Sequence, residues 1–433
     1  MRRARLVMAG ARGRRRCTPE NAMATTSQRE IRIALVGCGW ISEAHVAGYR
    51  ALHQGGWHGA RVVACCDLNR AAATARAKEI AAFQGDEPAI YTTVDELIAA
   101  GVAEAADICL PHCLHHSVAI RLLGAGLHVQ VEKPLGITVR ASRAIIAAAT
   151  KAGRVLAVAE NTRRSLGARA AVWALNQAKL IGEPVHASSQ LVRNMGVDLA
   201  DPKWAWRSLR LANGGGMLID GGAHFADMAI QLFGQPVEIT CRTRRLGPAT
   251  PVKTPILGTM PADAEDWWHA VITFASGASI HWSASLAQRG SDQTESTWYG
   301  TEGALVDGSW PMHPFESGGR VSRADKTVIE PRALEELYLA SLSADERERL
   351  FPAGVRDSFA IEIADFARAV SDGREPEIGG EAALRAKTLC LTCYESAQLG
   401  GAPVRYDDVL NGRIDAYQRP IDERWGLIAT AKA

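Results

Sequence analysis

A glycine-containing turn between an apolar run and an amphipathic stretch is the feature that most constrains how this chain can fold. Residues 31–36 (IRIALV) lead into Gly37-Cys-Gly39-x-x-Ser42, where the amphipathic stretch begins. The first glycine permits a tight turn, and the second lets backbone amides approach a pyrophosphate at a helix N-terminus. Because this turn belongs to the first strand and helix of the pattern, it predicts a dinucleotide-binding domain.

The pattern that follows predicts an α/β Rossmann domain, with a doubly wound parallel sheet, over residues 31–160. Apolar strand-like runs alternate with helical patterns, and such alternation gives parallel strands joined by right-handed crossovers. The further strands are expected at 61–66, 106–110, 127–132 and 154–159, and the helices at 70–82, 116–125 and 138–152.

The pattern changes beyond residue 160, and a second, α+β domain is expected over residues 161–406. After a helix at 165–179, strand-like segments follow one another, which predicts a large, open, mostly antiparallel sheet. The segment 308–352 is rich in proline, glycine and charge, and we expect an inserted long loop with one short helix. The strands are expected at 184–193, 236–245, 267–274, 278–286 and 294–299, late helices at 357–372 and 381–399, and a tail at 407–433.

The distribution of charge argues against nucleic acid and membranes as partners. Residues 1–22 hold seven arginines and one glutamate, so the residues after them carry a formal net charge of −4, against +2 for the whole chain. An acidic body offers no basic groove for nucleic acid, and the sequence has no run of 18 apolar residues. We expect residues 1–30 to be a disordered basic extension.

The cysteines and clustered histidines do not predict a disulfide framework or a metal site. Nine cysteines are an odd number, and Cys65-Cys66 lies in an apolar run, which favours reduced thiols and a cytoplasmic protein. The CxxC segment 390–393 has no second pair nearby to complete a zinc site. Three histidines within 112–116 resemble ligands by composition, but no nearby acid completes a set, and no metal is expected.

Asp67 ends the second strand and is the expected partner of the cofactor ribose. It follows Gly39 by 28 positions, and the glycine-rich segment 54–59 accounts for the long spacing. A carboxylate here accepts hydrogen bonds from a ribose diol and repels a 2′-phosphate, which favours NAD over NADP. Arg70 could serve a phosphate instead, and Asp67 could simply cap the following helix.

Lys133 is expected in the cofactor crevice because it directly follows a strand. His128-Val-Gln-Val-Glu132 runs into Lys133-Pro134, and ligands of doubly wound sheets bind beyond the carboxyl ends of the strands. A lysine there can polarise a substrate hydroxyl and stabilise the developing alkoxide. The alternative is a structural ion pair between Glu132 and Lys133.

A polar stripe on a helix of the second domain is the expected source of a general base. Asp220, His224, Asp227 and Gln231 are spaced 4, 3 and 4 residues apart, so they share one helix face. We expect His224 to take a hydroxyl proton, and Asp220 to orient His224 or to bind a neighbouring hydroxyl. The alternative is a histidine that caps or pairs structurally.

Taken together, these motifs resemble the glucose–fructose oxidoreductase/inositol dehydrogenase family, usually called Gfo/Idh/MocA. The resemblance covers about residues 31–406, and the combination of motifs is more specific than any one of them. The motifs that carry it are Gly37-Cys-Gly39, Leu110-Pro111-His112-Cys-Leu-His115, Glu132-Lys133-Pro134, Asn161-x-Arg163-Arg164 and Gly214-Gly-Gly216-x-Leu218-x-Asp220-x-x-x-His224-x-x-Asp227.

The resemblance implies an NAD-dependent oxidoreductase that oxidises a secondary hydroxyl of a sugar, cyclitol or glycoside. Lys133, Asp220 and His224 would be the catalytic residues. The expected cofactor-binding residues are Gly37, Cys38, Gly39, Trp40, Ile41, Asp67, Leu110, Pro111, His115, Glu132 and Lys133. The expected substrate-binding residues are Asn161, Arg163, Trp206, Arg207, Asp220 and His224.

Several alternatives stay open at the level of sequence. The family also contains NAD-dependent glycosidases and glycoside 3-dehydrogenases that act by transient oxidation, and the residues do not separate these from simple dehydrogenases. A non-catalytic NAD(H)-binding regulator is a further possibility, although it would be expected to lose the lysine or the Asp/His pair. We expect a small polyol or sugar as substrate, and a homo-oligomer (dimer or tetramer) formed through the C-terminal sheet.

Overall fold

The computed structural model describes residues 29–429 of the 433-residue chain and contains two large sheets. The prediction for the basic extension therefore falls almost entirely outside the described residues. Within residues 29–429, no helix has both the length and the apolar character needed to cross a membrane. The eight cysteines of this range are all buried and free of disulfide bonds.

The first sheet confirms the Rossmann prediction. Its six strands are all parallel and lie in the order β3-β2-β1-β4-β5-β6. The sequence pattern did not reveal β3 or α3, which are short. The elements are β1 (Ile31–Val36), α1 (Ile41–Gln54), β2 (Ala60–Cys66), α2 (Arg70–Gln84), β3 (Ala89–Tyr91), α3 (Val94–Ala100), β4 (Ala105–Ile108), α4 (His112–Gly124), β5 (His128–Glu132), α5 (Val139–Ala152) and β6 (Leu156–Ala159).

Helices cover both faces of this sheet, which is why its strands are almost continuously apolar. Alternate residues of β1 pack into two different cores: Ile33 and Leu35 on one face, Ala34 and Val36 on the other. Every parallel strand of this kind ends at the same edge of the sheet, and that edge carries the expected site residues.

The second sheet has nine strands in the order β16-β15-β14-β13-β7-β12-β11-β8-β17. All neighbouring pairs are antiparallel except β7 and β12, so the expected mostly antiparallel sheet is confirmed. The elements are α6 (Leu166–Asn176), β7 (Pro184–Val192), α7 (Pro202–Ala205), α8 (Arg210–Asn213), α9 (Gly222–Phe233), β8 (Pro236–Arg244), β9 (Pro251–Thr254), β10 (Gly258–Pro261), β11 (Trp267–Phe274), β12 (Ser279–Ser285), β13 (Gln293–Gly300), β14 (Gly303–Asp307), β15 (Gly319–Arg323), β16 (Val328–Ile329), α10 (Pro331–Ser341), α11 (Ala344–Leu350), α12 (Ser358–Asp372), α13 (Gly380–Gln398), β17 (Val404–Arg405), α14 (Tyr406–Leu410) and α15 (Arg419–Arg424).

The expectation of a long loop at 308–352 was wrong. Residues 319–323 and 328–329 form β15 and β16, which extend the large sheet at one edge, and two helices follow, α10 and α11. Short strands of this kind carry too few residues for a visible period-2 pattern, so the pairing of β15 with β14 and of β16 with β15 decides their conformation.

Helix α12 belongs by sequence to the second half of the chain but packs on the Rossmann sheet. Its residues Ile363 and Phe366 share one core with β1 and α1. A side chain at Gly48 of α1 would meet the backbone nitrogen of Ala360 at 2.8 Å, so the two helices approach closely. The amphipathic pattern predicted this helix but could not indicate which domain it covers.

Candidate active site

The glycine turn has the geometry that a dinucleotide pyrophosphate requires. Gly37 has φ +94°, and a Cβ there would lie 2.3 Å from the carbonyl oxygen of Cys109. A Cβ on Gly39 would meet nothing within 4 Å, so this side of the turn faces open space. Helix α1 has no side-chain cap at its N-terminus, which leaves backbone amides there to bind an anion.

Asp67 lies beside this turn, where a cofactor ribose would be bound. Its carboxylate accepts hydrogen bonds from the backbone nitrogens of Cys38 at 2.8 Å and Asn69 at 2.7 Å. Helix α2 is capped by the side chain of Asn69, so the alternative role of Asp67 as the helix cap is not what the structure shows. These residues fit the NAD that the sequence predicts.

The segment before α4 forms the next part of the crevice, but His115 lies behind its surface. Leu110 and Pro111 are partly exposed, and Pro111 precedes the first residue of the helix. His115 is fully buried, and its ring nitrogens lie 2.9 Å and 2.8 Å from the carbonyl oxygens of Pro134 and Leu110. The structure therefore places the predicted cofactor residue His115 behind the crevice surface, where each ring nitrogen faces a backbone carbonyl oxygen.

Glu132 likewise faces the interior and takes part in a buried polar network. His45 of α1 lies between two carboxylates, with Nε2 3.0 Å from Glu132 and Nδ1 2.9 Å from Asp107. Burial lowers the pKa of His45, but the charge of Asp107 outweighs burial and the net pKa is raised well above its usual value. Three potential metal-ligand atoms lie within 4.8 Å of one another here, one each from His45, Asp107 and Cys109. Because hydrogen bonds already use both nitrogens of His45, this cluster is a hydrogen-bonded network.

Lys133 lies where the strand topology places it, at the end of β5. Its peptide bond to Pro134 is cis. The Nζ atom donates to Oδ1 of Asp220 at 2.8 Å and to the carbonyl oxygen of Asp220 at 2.9 Å. Burial lowers the pKa of Lys133, but Asp220 and Glu132 outweigh it and the pKa is raised. An ammonium group has three donors, so the charged Lys133 keeps one for a ligand.

Asp220 does not orient His224, and that expectation is corrected. Helix α9 begins at Gly222, so Asp220 lies in the preceding turn. Its carboxylate accepts from Lys133 and, at 2.8 Å, from Nε of Arg207. Burial raises the pKa of Asp220, but these two cations reverse the effect and hold it well below the usual range. Asp220 therefore positions Lys133 and Arg207, and these two cations favour its charged form.

A half-buried glutamate holds this turn in place. Glu265 accepts hydrogen bonds from the backbone nitrogens of Gly216 at 2.6 Å and Leu218 at 3.0 Å. A Cβ on Gly215 would lie 2.1 Å from the hydroxyl oxygen of Tyr394, so the glycine run is required for the close approach. The turn, rather than the helix periodicity, aims Asp220 at Lys133.

The partner of His224 is Glu160, which sequence reasoning missed. Nδ1 of His224 lies 2.5 Å from Oε1 of Glu160, and both side chains are almost fully buried. Burial and the charge of Lys133 lower the pKa of His224 to about 3, while burial raises the pKa of Glu160 to about 7. No residue within 29–429 forms a hydrogen bond with Nε2 of His224, so this nitrogen is available to a ligand.

A second missed residue, His313, comes from the segment that was expected to be a loop. Its ring lies 4.5 Å from the ring of His224, between centroids, and its Nδ1 lies 3.0 Å from Oγ1 of Thr162. Burial and the neighbouring His224 lower the pKa of His313 to about 3. His313 therefore forms an uncharged wall of the site.

The remaining predicted substrate residues lie around this centre, and they differ in how far their side chains are already paired. Nδ2 of Asn161 donates to Oγ of Ser358 at 3.3 Å. Arg163 binds both carboxylate oxygens of the buried Asp227, so its guanidinium is already paired. The guanidinium carbon of Arg207 lies 4.3 Å from the ring centre of Trp206, in a cation–π contact.

Trp40, from the glycine turn, reaches the second domain. More than half of its surface is exposed (54%), and Nζ of Lys203 lies 4.9 Å from its ring centre. The guanidinium carbon of Arg207 lies 5.6 Å from the same ring. The cofactor turn and the proposed substrate residues thus face one cleft between the domains, next to Ile41 at the start of α1.

Comparisons with known proteins agree with this architecture. The model of an oxidoreductase family with an NAD-binding Rossmann fold matches residues 31–160, and the model of a GFO/IDH/MocA C-terminal domain matches residues 170–306. Together the two matched ranges cover more than half of the chain.

Two relatives and one solved structure illustrate the similarity. The D-glucoside 3-dehydrogenase of Escherichia coli is 26% identical over 206 residues, which span 48% of this chain and 55% of that protein. The levoglucosan dehydrogenase of Pseudarthrobacter phenanthrenivorans is 25% identical over 367 residues, or 80% of this chain and 90% of that protein. A structure of levoglucosan dehydrogenase with NADH and levoglucosan has a TM-score of 0.69 at 24% identity, covering 87% of this chain and all of that chain (100%). At this identity the structural match establishes the fold.

Proposed function

The chain belongs to the Gfo/Idh/MocA family of NAD-binding oxidoreductases, and on that premise we propose that it oxidises a secondary hydroxyl of a sugar, cyclitol or glycoside. Membership in an oxidoreductase family makes a non-catalytic regulator the weaker alternative. The observation that carries the proposal is the pairing of a charged lysine that has one free donor with a histidine that has one free nitrogen. The lysine comes from the Rossmann domain, and the histidine comes from α9.

The reaction removes a proton and a hydride from the substrate and leaves a ketone. NAD, when bound, supplies the hydride acceptor. Nε2 of His224 takes the hydroxyl proton, and Lys133 donates a hydrogen bond to the same oxygen as negative charge develops on it. Asp220 keeps Lys133 in place and charged.

Glu160 gives the base its proton affinity. An imidazole with a pKa of about 3 is by itself a weak base, but the hydrogen bond places its Nδ1 proton against a carboxylate whose pKa is about 7. The pair therefore gains one proton as a unit near neutral pH. We expect kcat/KM to rise with pH through about 7, because the pair must be unprotonated to act as the base.

The experiment replaces each reacting residue separately, as Lys133→Met and His224→Asn, and measures NADH formation beside NAD binding by calorimetry. Inositols, hexoses, aldonates and glycosides are tested as substrates. Retained binding with turnover reduced by about 10²-fold or more supports the catalytic roles of Lys133 and His224. Lys78→Met, at an exposed position of α2, is the matched control and should leave both measurements unchanged. Full turnover in either site variant removes that residue from the mechanism.

Glycosides require a separate test because one relative is named a D-glucoside 3-dehydrogenase. Simple oxidation of a glycoside releases one NADH per ketone formed. Transient oxidation followed by elimination and reduction instead releases free sugar and aglycone without net NADH. Product analysis therefore separates the two routes.

We also propose that the chain self-associates through the outer face of the large sheet. This face is uncovered in residues 29–429 and carries His186, His281 and the exposed Tyr299. His186 stacks on Tyr299 with ring centroids 6.2 Å apart. Light scattering of the wild type and of Tyr299→Asp tests this: a dimer or tetramer weakened by the substitution supports it, and a wild-type monomer contradicts it.

A further inference from the structure

A large cavity lies beside the proposed catalytic residues and has no role in the proton and hydride transfer itself. Its volume is about 900 Å³, and it lies among the segments 194–200, 245–253 and 286–289 of the second domain. Pockets that enclose drug-sized ligands measure roughly 300–1,000 Å³, so this cavity is larger than a single sugar ring needs.

The cavity shares a wall with the catalytic centre. Arg207 lines it and also donates from Nε to Asp220, the partner of Lys133. Gly216 and Met217 line it as well, and they belong to the turn that leads to Asp220. A substrate whose reacting ring contacts Lys133 could therefore extend past Arg207 into the cavity.

The half-buried charged groups in the cavity wall are already satisfied by the protein, whereas Lys253 and Arg289, which have no ion-pair partner within residues 29–429, are exposed. The carboxylate of Asp266 accepts from the backbone nitrogens of Leu246 and Gly247, and Arg245 donates to the carbonyl oxygens of Pro248 and Ala264. Glu265 likewise accepts from the backbone amides of the turn before α9. The half-buried part of the wall therefore offers no free charge that calls for an ionic ligand.

The surface that remains is apolar, adaptable and partly aromatic. Trp204 contributes an indole, and methionines 195 and 217 contribute flexible thioethers. Val197 and Leu246 lie on two different cavity segments with 39% and 45% of their surface exposed, and they extend the apolar part of the wall.

We infer that this cavity binds the aglycone of a glycoside, and that the preferred aglycone is uncharged and aromatic. This inference rests on the proposed function, because it places the sugar ring at Lys133 and His224 and the aglycone beyond Arg207. Size favours a two-part substrate, and the apolar side chains and satisfied charges of the half-buried wall favour an apolar second part over a phosphate or a carboxylate.

The experiment compares methyl and phenyl glycosides, beginning with the two D-glucosides, in the wild type and in two cavity variants. Ala200→Trp fills the cavity from an exposed position, and Val197→Asp adds a charge at a partly exposed one. Ala333→Trp on the exposed side of α10, outside the cavity, is the matched control. Kinetics of NADH formation are measured beside calorimetric binding of each glycoside to the NADH-loaded enzyme.

The wild type should prefer the phenyl glycoside by about 10- to 100-fold in kcat/KM, since burying a ring of this size has roughly that effect. Both cavity variants should lose this preference while kcat/KM for the methyl glycoside stays within about threefold, and Ala333→Trp should keep the preference. Equal use of the two glycosides by the wild type overturns the inference but leaves the proposed function intact. A preference for the phenyl glycoside that survives in both cavity variants also overturns the inference and leaves the proposed function intact. If no sugar or glycoside yields NADH, the proposed function fails. Calorimetry then still tests the cavity, because phenyl glycoside that binds no more tightly than methyl glycoside overturns the inference.

Discussion

Replacing Glu160 by glutamine tests the Glu160–His224 pair, because it should make the enzyme less active and, above neutral pH, more stable. The glutamine keeps the size of the side chain but removes the charge that fixes Nδ1 of His224 as the donor. The histidine can then adopt the tautomer whose Nε2 carries a proton and cannot accept one. In a serine protease the equivalent loss reduces kcat by about 10⁴-fold, and we expect about 10²- to 10⁴-fold here.

The gain in stability follows from the raised pKa of Glu160. Burial raises it from 4.5 to about 7, so the folded state binds a proton more tightly than the unfolded state. Stability from this group is fully present below about pH 4.5 and is lost as the pH rises through about 7. With about 1.4 kcal/mol for each pKa unit, ionising Glu160 in the folded protein costs on the order of 3 kcal/mol. Glutamine does not ionise, so the variant avoids this cost.

The assay combines steady-state kinetics with urea unfolding at pH 5 and pH 8. Relative to wild type, Glu160→Gln should gain free energy of unfolding between pH 5 and pH 8, on the order of 3 kcal/mol. Glu395→Gln is the control: burial also raises the pKa of Glu395, which lies in α13, so its stability should change in the same direction while activity is kept. A Glu160→Gln enzyme with turnover within threefold of wild type would refute the orienting role, and an unchanged pH dependence of stability would refute the raised pKa.

Three further predictions concern the cofactor turn and a buried ion pair. Asp67→Ala should lower the preference for NAD over NADP, measured as the ratio of the two kcat/KM values. Gly37→Ala should destabilise the fold by about 1–3 kcal/mol in thermal or urea unfolding, because its φ is positive and a Cβ would meet a carbonyl oxygen, whereas Gly39→Ala should fold normally but weaken NAD binding in calorimetry. Arg163→Met should cost about 3–5 kcal/mol in urea unfolding, since it leaves the buried Asp227 without its partner.

Each of these predictions has an outcome that would contradict it. An unchanged NAD/NADP ratio in Asp67→Ala would remove the ribose role, and equal stability of the two glycine variants would contradict the steric reasoning about the turn. Full stability of Arg163→Met would show that Asp227 finds another donor or takes up a proton.

The amino-acid sequence by itself determined the elements whose signal is local. The apolar run and Gly37 identify the cofactor turn because only glycine fits its backbone geometry. Lys133 could be placed from sequence because every parallel strand ends at the same edge, so a residue that follows a strand lies in the crevice. The helix that carries His224 shows a clear 3.6-residue period, which predicts it from sequence.

The tertiary structure alone decided which groups meet. Glu160 and His313 approach His224 from distant segments, and neither carries a motif that marks it as a partner. Spacing placed Asp220 on the same face as His224, but Glu265 holds the preceding turn and directs Asp220 to Lys133 instead. Pairings of this kind depend on contacts between residues far apart in the chain, and local pattern carries no information about them. Local sequence therefore determines which helix or strand each segment forms, and long-range packing determines which side chains meet in the site.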